Sequence, residues 1–148
     1  MRSALYETDF YAWTWEQAKL LKEGKLNELD LVNLIEEIES LGKRERQELR
    51  KRLGILIGHL LKWEYESDKR SNSWKATIRE QRRRIKEHLE DNPSLKSYLA
   101  EAILYAYQDG VDLAIQETNL PDQTFPTENP YTLAQILDPN FLVNPGNI

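Results

Sequence analysis

The sequence contains no cysteine, which excludes a disulfide framework, a thiol nucleophile and a cysteine–zinc site together. Histidine is almost as scarce, with only His59 and His88. Apolar residues never run uninterrupted for more than a few positions, as at Ile55-Leu56-Ile57, far short of the roughly 20 that span a bilayer. The N-terminus, MRSALYETDFYAW, carries acids and aromatics where a secretion signal needs a basic start and an apolar run. Strand-length alternation is missing, and no glycine-rich run precedes a helix to cradle phosphate. These absences lead us to expect a cytoplasmic protein with no membrane span. Its 148 residues suit a single all-α domain, 1–148 with a core of about 5–143, burying about 70% of the unfolded surface.

What is present is helical spacing. Thr8 or Asp9 can cap a helix to about Lys22, with Trp13, Gln17, Leu20 and Leu21 on one face and Gly24 closing it. Asp30 is a good N-cap for a long pattern, Leu31, Leu34, Ile35, Ile38, Leu41, Leu49, Leu53, Leu56, Ile57, Leu60 and Leu61. Unbroken from 31 to about 66, that helix is on the order of 50 Å long; Gly42 and the charges after it are the place for a kink or break. Ser71 or Ser73 caps a helix from Trp74 to about Glu90 with a stripe of Trp74, Ile78, Gln81, Ile85 and Leu89. Asn92-Pro93 starts the next, whose stripe runs Leu95, Leu99, Ala102, Ile103, Ala106 and Leu113, with Gly110 weakening its middle. Pro121, Pro126, Pro130, Pro139 and Pro145 mark a turn-rich tail. Asn129 can cap two helical turns there, and Leu133, Ile136, Leu137, Phe141 and Leu142 are apolar enough to dock the tail onto the body. The expected fold is a compact all-α bundle of four helices, or five if the long one breaks.

Net charge is −5, but it is unevenly placed. Residues 1–41 hold four Lys/Arg against nine Asp/Glu, residues 42–88 fifteen against seven, and residues 89–148 one against nine. Either the segments neutralise one another by packing, or the basic middle faces an acidic or nucleic-acid partner.

Few residues present themselves for chemistry. Glu36, Glu37 and Glu39 cluster, but neither histidine follows a glutamate by three, so the carboxylate–histidine pattern of helical di-iron sites is absent. His59 sits among Ile55, Leu56, Leu60 and Leu61 and reads as a half-buried helix residue; His88 reads as a favourable cation at a helix C-terminus. An enzyme using His59 with Glu36 or Glu37 ranks third among the functional readings. Gly54 and Gly58, four apart, suggest a tight helix crossing within the fold, or less readily a dimer seam. The run Trp74–Lys86 is the richest segment. As a nucleic-acid surface it would set Arg79, Arg83, Arg84 and Lys86 on phosphates, with Trp74 or Trp63 for stacking. As a solvated face it would pair Glu80 with Arg83 or Arg84 and Arg83 with Glu87, leaving Arg82 at the flank of the stripe to pack or pair with an acidic helix.

Several stretches in order, Tyr6–Trp13, Asp30–Gly42, His59–Trp63, Ser73–Arg84 and Asn129–Asp138, together resemble the bacterial domain of unknown function 29, abundant in cyanobacteria, over about residues 5–143. The resemblance implies an all-α domain of bacterial origin and carries no activity and no catalytic residues with it. The leading expectation is a non-catalytic interaction protein binding another protein or itself, without cofactor, metal or membrane. Nucleic-acid binding through residues 42–88 is the alternative.

Overall fold

The computed structural model describes residues 3–144; Pro145, counted in the tail above, lies outside them. The described residues are all-α, without a strand, in the order α1 (Leu5–Thr8), α2 (Phe10–Lys22), α3 (Leu31–Tyr65), α4 (Asn72–Asp91), α5 (Leu99–Thr118) and α6 (Leu133–Leu137), with short 3-10 turns between. The chain divides into two compact units, Met1–Glu45 and Arg46–Ile148. α3 is one continuous helix, and Gly42 neither breaks nor ends it.

Unit 1 is organised around a buried carboxylate. Asp9 caps α2 through the Ala12 N–H, and Gly24 leaves it with φ +71°. α2 buries Trp13 and Gln17, whereas Leu21, expected on the same face, is exposed. Asp30 is only 1% exposed. It accepts from the Ser3 N–H (2.9 Å), Trp13 Nε1 (3.0 Å) and Asn33 Nδ2 (2.8 Å), and caps α3 through the Asn33 N–H (3.4 Å). Its own N–H donates to Gln17 Oε1 at 2.8 Å. Burial alone would push this carboxyl up; the Ser3, Asn33 and Trp13 donors outweigh it and hold the pKa at about 2. Tyr6 and Phe10 pack on Trp13, at ring-centroid distances of 4.8 and 5.5 Å. The α3 stripe is not covered here: Leu31, Ile35, Ile38 and Leu41 are all more than half exposed.

Unit 2 holds the large core. Leu49, Leu53, Leu56, Ile57, Leu60 and Leu61 of α3 meet Ile78, Ile85 and Leu89 of α4, Leu99, Ala102, Ala106, Tyr107 and Ala114 of α5, and Phe125, Tyr131 and Ile136 of the tail. The paired glycines mark the expected crossing. A Cβ at Gly58 would lie 2.7 Å from Leu113 Cδ2 and 3.1 Å from the Gly110 carbonyl, and one at Gly110 would lie 3.0 Å from the Gly58 nitrogen. Gly110 therefore lets α5 approach α3 and is buried there, where composition alone suggested only a weak point.

The tail docks as expected. Trp63 Nε1 donates to the Val143 carbonyl at 2.8 Å, and Arg70 reaches the Val143 and Asn144 carbonyls at 3.1 and 2.7 Å. The buried Tyr131 hydroxyl donates to Glu64 at 2.7 Å, and burial, reinforced by that carboxylate, pushes its pKa up. The cap of α6 differs from expectation. Thr132 and Gln135 form a reciprocal capping box, while Asn129 accepts from the Tyr131 N–H in a turn before it. Proline at 130 favours that tight turn, and the helix starts only after it.

Candidate functional site

Along α4 one face carries Lys75, Arg79, Arg82, Arg83 and Lys86, all within about 100° on the helical wheel. Ser71 starts the helix by accepting from the Trp74 N–H, and the core stripe Ile78, Ile85 and Leu89 fixes its rotation. That rotation turns the basic face toward the edge of the tail. There Arg82, which is 7% exposed, donates from Nε to the Ile136 carbonyl (2.9 Å) and from Nη2 to the Gln135 carbonyl (3.2 Å). Two carbonyls at the end of α6, left without helical donors, are thereby satisfied by one planar fork. Arg82 was expected to seek an acidic helix; its direct partners are backbone carbonyls. Burial lowers its pKa and Asp138 offsets part of the effect.

Between α4 and the tail lies a groove of about 550 Å³, lined on its apolar side by Ile85, Leu89, Leu137 and Pro139. Arg79, Arg83, Lys86 and Lys96 stand around it, with Glu90 its one carboxylate. A second depression of about 480 Å³ shares Arg79, Arg82 and Pro139 with it and extends along α4 to Asn72, adding Lys75, Ile78 and Leu142. From Asn72 to Glu90 the two follow α4 for on the order of 27 Å. The combination is an elongated apolar trough with a basic rim.

Three of the four candidate arginines and lysines, Arg79, Arg83 and Lys86, come together on this rim. Arg84 does not: it is exposed and pairs with Glu80 at 3.2 Å, as Arg83 pairs with Glu87 at 3.4 Å. Lys96 and the tail residues Leu137 and Pro139 were not foreseen, since only folding brings them to α4. Lys75 was legible as the position four before Arg79. The tryptophans once available for stacking are engaged elsewhere. Trp63 is fully buried, and Trp74 is half-buried with Lys62 Nζ 4.6 Å from its ring centre. The Lys62 ammonium also pairs with Glu117 at 2.7 Å.

Residues 5–142 match the family model "Domain of unknown function DUF29". The chain belongs to that family. It has no match among curated proteins or among solved structures. Other candidate groups of this DUF29 chain are occupied within their own units. Glu37 accepts from the Tyr6 hydroxyl, whose pKa that bond pushes up to about 12. His59 Nδ1 lies 2.9 Å from the Ile55 carbonyl; a carbonyl only accepts, so Nδ1 carries the proton. Burial lowers the His59 pKa, favouring the neutral ring. Among the described residues no group of three His, Asp or Glu is placed to hold a metal, and no helix is long and apolar enough to cross a membrane.

Proposed function

We propose that this protein is an interaction module whose α4 trough receives an acidic, amphipathic helical segment of a protein partner. The observation that carries the reading is the coincidence of an elongated apolar floor with a basic rim along α4. A helix laid in such a trough buries apolar residues at helical spacing against Ile85, Leu89 and Leu137, while acids on its flanks meet Arg79, Lys86 and Lys96. Apolar burial supplies affinity and the rim supplies orientation and encounter rate. Nucleic acid fits less well: the trough lining contains no aromatic ring on which a base could stack.

The test is affinity capture from cells of the source organism, comparing the native chain with Lys86→Glu combined with Lys96→Glu. The reading predicts a protein retained by the native chain after nuclease treatment and in high salt, and captured far less by the double variant at low salt, where the reversed charges repel an acidic segment. Recovery of nucleic acid instead, with binding that falls steeply as salt rises, would overturn it.

A further inference from the structure

Within unit 1, α3 presents an apolar face that the described structure leaves uncovered. Leu31, Ile35, Ile38 and Leu41 are exposed by 55, 55, 66 and 56%, and at 100° per residue Leu31, Ile35 and Ile38 share one line with Gly42. Gly42 is itself a clue. A mid-helix glycine costs about 1 kcal/mol relative to alanine, and a Cβ there would meet nothing within 4 Å. No packing among the described residues accounts for it. Charge is sorted along residues 36–44 of the same segment, with Glu36, Glu37 and Glu39 followed by Lys43 and Arg44, and Glu45 closes it. Among the described residues Glu36, Glu39, Lys43 and Arg44 take part in no ion pair.

We propose that residues 31–44 of α3 form a self-association face, on which a second copy of this chain lies antiparallel about a two-fold axis near Ser40. The charges choose the direction. A parallel pair sets acids against acids and bases against bases. The antiparallel pair sets Glu36 and Glu39 beside Lys43 of the second copy on one flank, and Glu37 beside Arg44 on the other. The two-fold repeats each contact, as an isologous interface requires. In this register Ile38 of each copy sits over Gly42 of the other, where the missing side chain leaves room for close approach. This face is separate from the α4 trough, so either can fail without the other.

Sedimentation equilibrium of the full chain tests it. The expected result is a monomer–dimer equilibrium abolished by Ile38→Lys, with the helical circular dichroism unchanged because Ile38 is 66% exposed in the monomer. Lys43→Glu alone should weaken the dimer, and Glu39→Lys added to it should restore it, since the double exchange re-pairs the charges across the axis. The absence of cysteine provides a check on direction: Leu41→Cys should cross-link two copies on oxidation and Ile35→Cys should not, the latter pair lying on the order of 15 Å apart along the axis. A chain that stays monomeric at high concentration, a dimer indifferent to Ile38→Lys, or cross-linking through position 35 would overturn the proposal.

Discussion

Asp30 shows how much a single side chain can organise. Four donors and the start of α3 converge on it, so exchange to asparagine places an amide N–H₂ among groups that all donate. Asp30→Asn should destabilise the fold by about 2 kcal/mol, measured by chemical denaturation. Its pH dependence has a definite sign. The folded carboxyl titrates at about 2 against 3.8 ordinarily; its contribution is therefore complete above the ordinary value and lost as pH falls toward 2. Acid titration of native chain and variant should converge there. The glycines offer a contrast at the same scale. Gly42→Ala adds a methyl that meets nothing and should stabilise the chain in dilute solution by about 0.5–1 kcal/mol. Gly58→Ala drives its methyl against Leu113 and the Gly110 carbonyl and should lower the melting temperature. Equal effects of the two substitutions would contradict the crossing described here.

At the scale of elements, α4 and the tail depend on one another. Arg82 forks onto the last carbonyls of α6, a geometry that lysine cannot reproduce. Arg82→Lys should cost about 1 kcal/mol, and Arg82→Glu more, because it turns a carboxylate toward carbonyl oxygens. Reversing Arg79 and Arg83 to glutamate, by contrast, alters only exposed groups and should change stability by less than about 1 kcal/mol. Truncation after Thr118 removes Phe125, Tyr131 and Ile136 from the core and the acceptor of Trp63. A lower melting temperature and aggregation are expected; an unchanged melting curve would show that the tail is not part of the core.

Local signals were legible where one residue decides a local geometry. Asp9, Gly24, Asp30 and Ser71 start or stop helices where their chemistry says they should, and the alternation of three and four marks the helices' extents except after Asn92-Pro93, where a 3-10 helix, Pro93–Tyr98, comes first and α5 begins only at Leu99. What was not legible depends on residues far apart in sequence. Periodicity marks Leu31–Leu41 and Leu49–Leu61 alike as apolar, yet only the second set is covered, since coverage depends on what folds over the helix. Gly110 gains its meaning from Gly58, Arg82 from Gln135 and Ile136, and the trough from Lys96 and Pro139 arriving beside α4. The Thr132–Gln135 capping box is itself a local sequence signal, whereas the Asn129 side chain serves the turn before the helix instead.

At the scale of the whole molecule, a photo-crosslinking amino acid tests directly whether the α4 trough is where a partner binds. Placed at Lys86 it lines the trough; at Arg84, exposed and paired with Glu80, it lies outside it. Illumination in cells of the source organism should link position 86, and not position 84, to a protein segment with apolar residues at helical spacing and acids on its flanks. Equal labelling from both positions, adducts with nucleic acid, or no adduct from position 86 would contradict the account.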